Sequence, residues 1–380
     1  MFAFQKYKFR YYNFILFACV AFLSVTGILI IRSATLSTGD SSTYTKQIMG
    51  VGLGMVTMFI VSFIDYHWIL KMYQVVYLAI TVVLFLTKFS PLGTAAGTGA
   101  RRWLDVGIRI QPSEFAKVAM IIFLAQLFTI YQEQIDNISV IALSVVLLGI
   151  PLMLILAQPD LSTSLVIIFI FIVMIFVVNI SYRWVGGVLA VVTPFAMAFV
   201  FLVEKDLLPF LEKYQRNRIL SFLHPQDYPD LAMQQTRSVM AIGSGGLYGK
   251  GLFNESLESV KNGNYLMEED TDFIFAVAGE ELGFAGCCLV IGVLFIVVIQ
   301  CFLTASRVQD MGGKLIAVGV GAQIAFQSFV NIGVATFILP NTGLPLPFIS
   351  AGLSSLLSIF AGVGMIFNIG MQRTRDIDVS

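Results

Sequence analysis

The chain has 380 residues, of which 57% are hydrophobic and only 12% charged, with a formal net charge of zero and a mean hydropathy of +0.86. Soluble domains carry about 25% charged residues, so a soluble core is excluded as the home of this much apolar sequence, and the balanced charge excludes a general nucleic-acid binder. Cys19, Cys287, Cys288 and Cys301 lie inside apolar stretches and read as packing residues, and two histidines, His67 and His224, are too few for a His-based metal site.

In chain order, uncharged stretches close to the roughly 20 residues needed to cross a bilayer run over 11–31, 47–64, 72–87, 137–159, 161–182, 184–203 and 282–306. The first is long enough to span and reads as a signal-anchor rather than a cleaved leader. A helix starting near Pro112 extends 118–131 to spanning length. The uncharged stretch 315–372 is divided by Pro340, Pro345 and Pro347 into two spans. These runs are about twice as long as a membrane β-strand and lack its alternation, so the fold class is all-α: a polytopic membrane protein with about ten transmembrane helices. A slight Lys/Arg bias, led by Lys6, Lys8 and Arg10, places both termini in the cytoplasm.

An even number of spans gathers the polar stretches 90–113, 158–160, 204–272 and 339–350 on the outer face. The third is a large extracellular loop between spans seven and eight, within a single transmembrane domain covering 1–380. Long loops of this kind are usually functional. Apolar patches at 207–211 and 219–223 predict short helices lying on the membrane surface.

Each polar stretch has a plain reading and a functional one. Glu114 and Lys117 share a helix face, either as an ion pair at the headgroups or as a buried pair lining a substrate path. Arg101, Arg102 and Trp103 suit an interfacial anchor or a clamp on a phosphorylated lipid. Asp160, in the tight Gln158-Pro159-Asp160 reversal, is a helix cap or a cavity acid. In the large loop, Arg216 and Arg218 precede Ala241-Ile-Gly-Ser-Gly-Gly246 and Lys250, where Ser244 and the glycines form a flexible turn or a backbone cradle for an anion. This is no Walker loop, since the spacing to Lys250 does not fit. The Pro-rich segment 339–350 predicts a broken or re-entrant stretch, tolerated only where protein buries it or it lines a cavity. Asp272, ahead of an apolar run, is a helix cap or an acid at the bilayer boundary. The nearby apolar surface and Glu268, Glu269 and Asp270 should raise its proton affinity, as suits a general base. From these residues alone, an enzyme acting on an amphiphile and a transporter both stand.

Six segments in order, RRWLDVG with QPSEFAK, QPDLSTS, AIGSGGLYGKGL, TDFIFAVAGEELG and NTGLPLPFIS, resemble the SEDS family (shape, elongation, division and sporulation) over essentially the whole chain. The resemblance implies a peptidoglycan glycosyltransferase that polymerises lipid II at the outer face of the bacterial cytoplasmic membrane, partnered by a class B penicillin-binding protein and embedded among membrane lipids. The phrasing YQRNR and AIGSGGLYGKG is closer to the elongation branch, with the division and sporulation branches as near alternatives. It also implies that Asp272 is the essential acid and general base of an inverting transfer. Arg101, Arg102, Arg216, Arg218 and Lys250 are then candidates to hold the pyrophosphate. No dedicated metal cage is visible, so the metal stays open; a divalent cation, Mg or Mn, would share the leaving-group charge. The chain departs from the family pattern at 232–235, 267–271 and 350–355, which bears on local substrate contacts, and keeps Asp272. A lipid II flippase without chemistry, and a scaffold that only recruits the partner, are the rival readings.

Overall fold

The apolar stretches fold as helices in the computed structural model, which describes residues 9–38, 41–94, 101–105, 107, 109–181, 183–184, 186–187, 190, 194, 198, 201–205, 213–253 and 271–372. In chain order they are α1 (Phe14–Thr38), α2 (Ser41–Ser62), the short α3 (Tyr66–Lys71), α4 (Tyr73–Phe89), α5 (Pro112–Ile130), α6 (Ile138–Ala157), α7 (Leu161–Val177), α8 (Lys213–Leu223), α9 (Pro229–Ser244), α10 (Ile274–Arg307), α11 (Met311–Ala335) and α12 (Leu353–Gln372). Among the described residues, seven of these helices (α1, α2, α5, α6, α10, α11 and α12) are long and apolar enough to cross a membrane, and α4 and α7 are shorter apolar helices. The described positions of the predicted span 184–203 are helical as well. This is an integral membrane protein.

Burial sorts the helices. In α5 and α11, 78% of the apolar window is buried, and in α12 72%, against 28% in α6 and α10. The first three form the centre of the bundle and the others face lipid. The centre is not wholly apolar: Gln323, Gln327 and Asn331, spaced four apart, put a buried polar stripe along one face of α11. Asn331 ends that stripe by donating from Nδ2 to the carbonyls of Asp272 (2.9 Å) and Leu344 (2.8 Å). Two long-range backbone positions are thereby pinned to the central helix.

The outer face differs from expectation in three places. The stretch 90–113 contains a small antiparallel sheet of β1 (Gly93–Thr94), β2 (Trp103–Asp105) and β3 (Arg109–Ile110), in the order β1-β2-β3, with Thr94 opposite Trp103 and Asp105 opposite Arg109. These strands are too short to leave a period-two signal. Span eight opens with the apolar run after Asp272, as read from the sequence, but α10, from Ile274, carries the buried Glu280 and Glu281 within it. It breaks at Gly283 (φ 66°, ψ −170°). Finally, α9, a helix that the sequence did not mark, docks on α11. Gln235 Nε2 donates to the carbonyls of Val334 (3.0 Å) and Leu339 (2.8 Å), and Ser238 Oγ to that of Ala335 (2.7 Å). These side chains bind carbonyls at the C-terminus of α11 and in the segment just after it. Of the predicted surface helices, 219–223 is the end of α8, and 207–211 lies outside the described residues.

The glycine-rich loop after α9 is neither a flexible turn nor an anion cradle. It seals the break in α10. The amides of Lys250 and Gly251 donate to the carbonyls of Glu280 (2.9 Å) and Glu281 (3.0 Å), and the amides of Phe284 and Ala285 donate back to Gly246 (2.9 Å) and Leu247 (3.0 Å). Gly249 (φ +80°) is required here, because a Cβ would sit 2.1 Å from the Glu281 carbonyl oxygen. The loop thus supplies the backbone partners that the break removes from the α10 ladder.

Candidate active site

The polar stretches 90–113, 158–160 and 339–350 meet the residues around Asp272 at one cavity of about 820 Å³. Each wall has a local cause. Pro112 sits in the first turn of α5, where its missing N–H costs nothing, and this starts the helix on the outer face. Glu114 and Lys117 follow on one side of α5 as a salt bridge of 2.8 Å, with side chains only 4% and 0% exposed. Glu114 lines the cavity, and Lys117 lies behind it. The pair is therefore buried, and the headgroup reading is excluded.

Asp160 is the N-cap of α7. Its carboxylate accepts from the Thr163 amide (3.1 Å), Thr163 Oγ1 (2.9 Å), Ser113 Oγ (2.9 Å) and Gln111 Nε2 (3.3 Å). The capping role predicted as one alternative holds. The same carboxylate also ties the starts of α5 and α7 together at the cavity wall.

The β2 segment carries Arg101, Arg102 and Trp103 to the rim. Arg102 is half-buried and its guanidinium donates to the carbonyls of Gln158 (2.9 Å) and Pro159 (2.5 Å). It spends donors on holding the reversal in place. Arg101 and Arg218 are exposed and line the cavity, with Arg218 also 3.4 Å from the Asn341 carbonyl.

Asp272 is half-buried and lines the cavity. The N-cap of α10 is Phe273, with no side-chain capping bond, so the helix-cap alternative for Asp272 finds no support. Its position is set through the backbone instead: Asn331 holds the Asp272 carbonyl, and Ser350 Oγ donates to the Thr271 carbonyl at 2.7 Å. The segment after α11 is non-helical yet buried, with Leu344, Leu346, Phe348, Ile349 and Ser350 at most 3% exposed. That is the buried irregular backbone expected from its prolines. Gly343 (φ +78°) brings this backbone close to the acid, since a Cβ there would stand 3.3 Å from Asp272 Oδ2.

Besides Lys117, three predicted residues are not in this cavity. Arg216 donates from Nε to the Val203 carbonyl (3.3 Å). Ser244 Oγ donates to the Ala241 carbonyl within α9 (2.8 Å). Lys250 Nζ pairs with the buried Glu280 at 2.7 Å, beside the sealed break. Glu268, Glu269 and Asp270 lie outside the described residues. Lys88, in the last turn of α4, lines the cavity and was missed by sequence reasoning. A basic residue in a helix's last turn is so ordinary that nothing marks it. Among the described residues, no group of three or more His, Cys, Asp or Glu side chains could hold a metal ion.

Comparison with known proteins fits this architecture. The peptidoglycan glycosyltransferase MrdB of Escherichia coli (strain K12) is 32% identical over 357 residues, covering 92% of this chain and 91% of that protein. The probable peptidoglycan glycosyltransferase FtsW of Geobacter metallireducens is 35% identical over 324 residues, 84% of this chain and 82% of that one. A chain from the solved structure reported as "Structural coordination of polymerization and crosslinking by a peptidoglycan synthase complex" superposes with a TM-score of 0.78 at 28% identity, covering 96% of this chain and 99% of that chain. The family model described as "Cell cycle protein" (FtsW/RodA/SpoVE) matches residues 9–375, nearly the entire chain, and the protein belongs to that family.

Proposed function

We propose that the protein is a peptidoglycan glycosyltransferase that polymerises lipid II at the outer face of the cytoplasmic membrane, with both termini cytoplasmic. The observation that carries this reading is one cavity combining an acid at the bilayer boundary, Asp272, with cationic groups on other segments, Arg101, Arg218 and Lys88. Inverting transfer requires that pairing. Asp272 takes the proton of the acceptor's 4-hydroxyl as that oxygen bonds to the donor's anomeric carbon. The bond from that carbon to the pyrophosphate breaks at the same time, and the departing charge meets the cations. Arg102, Asp160 and the Glu114–Lys117 pair hold the walls and Trp103 lines the rim. A divalent cation, Mg or Mn, fits only as a companion of the pyrophosphate, since such ions bind through one or two carboxylates plus substrate phosphates; no step here depends on it.

The similar chain in a complex of polymerization and crosslinking supports a class B penicillin-binding protein as partner. We assign the chain to elongation on the phrasing of YQRNR and AIGSGGLYGKG. Depletion should round the cells, whereas filamentation would move it to division. Buried charges within spans also suit a flippase. The two readings separate in detergent, where no second leaflet exists. Purified protein, with its partner, is expected to convert lipid II into glycan strands visible on a gel; no polymer under any metal condition would refute the enzyme. Orientation is tested by Tyr248→Cys, a site 81% exposed, which should label with an impermeant thiol reagent on intact cells. Labelling only after lysis would invert the topology.

A further inference from the structure

A lipid-linked substrate has a second half that the polar cavity does not account for. Its isoprenoid tail must leave the cavity for the bilayer along some path. An apolar groove of about 570 Å³ runs between α4 and α6, walled by Thr81 and Phe85 on one side and Val146, Gly149, Ile150 and Met153 on the other. Its two walls lead toward the cavity, although the groove and the cavity share no lining residue. Positions 81, 85 and 88 follow the helical repeat on one face of α4, and Lys88 lines the cavity. Helix α6 runs directly into Gln158 and Pro159, the latter a cavity residue.

Two hydrogen bonds brace this groove at its ends. Gln158 Nε2 donates to the Leu84 carbonyl (3.0 Å) near the top. Lower down, Pro151 deprives the Leu147 carbonyl of its intrahelical N–H, and the Tyr77 hydroxyl of α4 donates to that carbonyl instead (2.8 Å). The space between is therefore held open by fixed helices. Gly149 lies in the middle of it with no atom within 4 Å of where a Cβ would stand, so no packing within the chain requires a glycine there. A helix-weakening residue without a packing reason leaves room on that face. A second apolar groove, about 390 Å³ between α1 and α10, reaches Gly251 and Glu281, and neither α1 nor α10 contributes a residue to the cavity lining.

We propose that the α4–α6 groove seats the first isoprene units of a polyprenyl chain whose pyrophosphate lies at the cavity rim beside Lys88. This rests on the reading of the cavity as a site for a polyprenyl-pyrophosphate-linked glycan. The groove is apolar and pre-formed, and Lys88, one helical turn beyond Phe85 on α4, is a cation in the cavity lining, a combination that matches the apolar-to-anionic junction of such a lipid.

The test uses the purified full chain in detergent and a polyprenyl pyrophosphate bearing a benzophenone in its first isoprene units. Photoadducts are expected within 81–85 and 146–154 and are competed by unlabelled undecaprenyl pyrophosphate but not by the same concentration of phosphatidylglycerol. Gly149→Phe, which fills open space, should cut those adducts and raise the KM for lipid II about tenfold with kcat unchanged. Met153→Trp, at a position 69% exposed, gives the same readout should the glycine variant misfold. Adducts mapping to the α1–α10 groove, or equal competition by phosphatidylglycerol, would overturn the proposal and leave an ordinary lipid-filled crevice. Correctly placed, specific adducts in a protein that makes no polymer would uphold the groove and sink the transferase; polymerisation unaffected by both filled variants would do the reverse.

Discussion

Asp272→Asn is expected to insert, melt and bind its partner as the parent does, and to make no detectable glycan polymer. The structural half of this expectation comes from what holds the residue. The neighbouring contacts are to backbone, from Asn331 to the Asp272 carbonyl and from Ser350 to the Thr271 carbonyl, and α10 is capped at Phe273. Asparagine preserves all of them and nearly the same volume. The chemical half is that the amide cannot accept the hydroxyl proton, and positioned bases contribute about 10²–10⁴-fold. A gel assay of strand formation alongside thermal unfolding in detergent separates the two halves. Parental polymerisation by the variant would end the assignment. Glu280 would not replace it, because it is buried against Lys250 and absent from the cavity lining.

Lys117→Met is expected to destabilise the protein by about 3–5 kcal/mol, since it strands the Glu114 carboxylate in a buried site. The ammonium is fully buried and 2.8 Å from Glu114, whose side chain is only 4% exposed. The double variant Glu114→Gln with Lys117→Met removes both charges and should recover most of the lost thermal stability, because neutral replacements of a buried pair are often tolerated. Its polymerisation should stay low, since Glu114 forms part of the cavity wall. A single Lys117→Met that melts with the parent would show that the pair contributes nothing to folding. Full activity of the double variant would reduce it to a packing element.

The outcomes for particular residues show which physical signals are local. Spanning helices were legible because a bilayer demands a long uncharged run, and a charge-free window needs no knowledge of neighbours. The charge-free window began only at 282, but the apolar run after Asp272 marked where α10 opens, and Lys250 from another segment neutralises Glu280 within it. Prolines in 339–350 announced irregular backbone, and the structure buries it there. Asp272 and Asp160 could each be read as cap or acid, and only tertiary placement separated them: Asp160 is the N-cap of α7 and meets the Thr163 amide, while the N-cap of α10 is Phe273. The cations show the same limit. Arg101 and Arg218 reach the cavity, whereas Arg216, two residues from Arg218, turns to the Val203 carbonyl and Lys250 to Glu280.

By itself, then, the sequence determined the membrane as solvent, the helical class, the approximate number of spans and the segments in which polar chemistry lies, all of which follow from apolar run length and backbone hydrogen bonding within a segment. Tertiary structure alone decided which of those polar residues share a cavity, that the glycine loop seals a broken helix, and that Lys88 lines that cavity. Such contacts join residues far apart in the chain, and their energies depend on burial and on the partner supplied by another element, neither of which is a property of the local sequence.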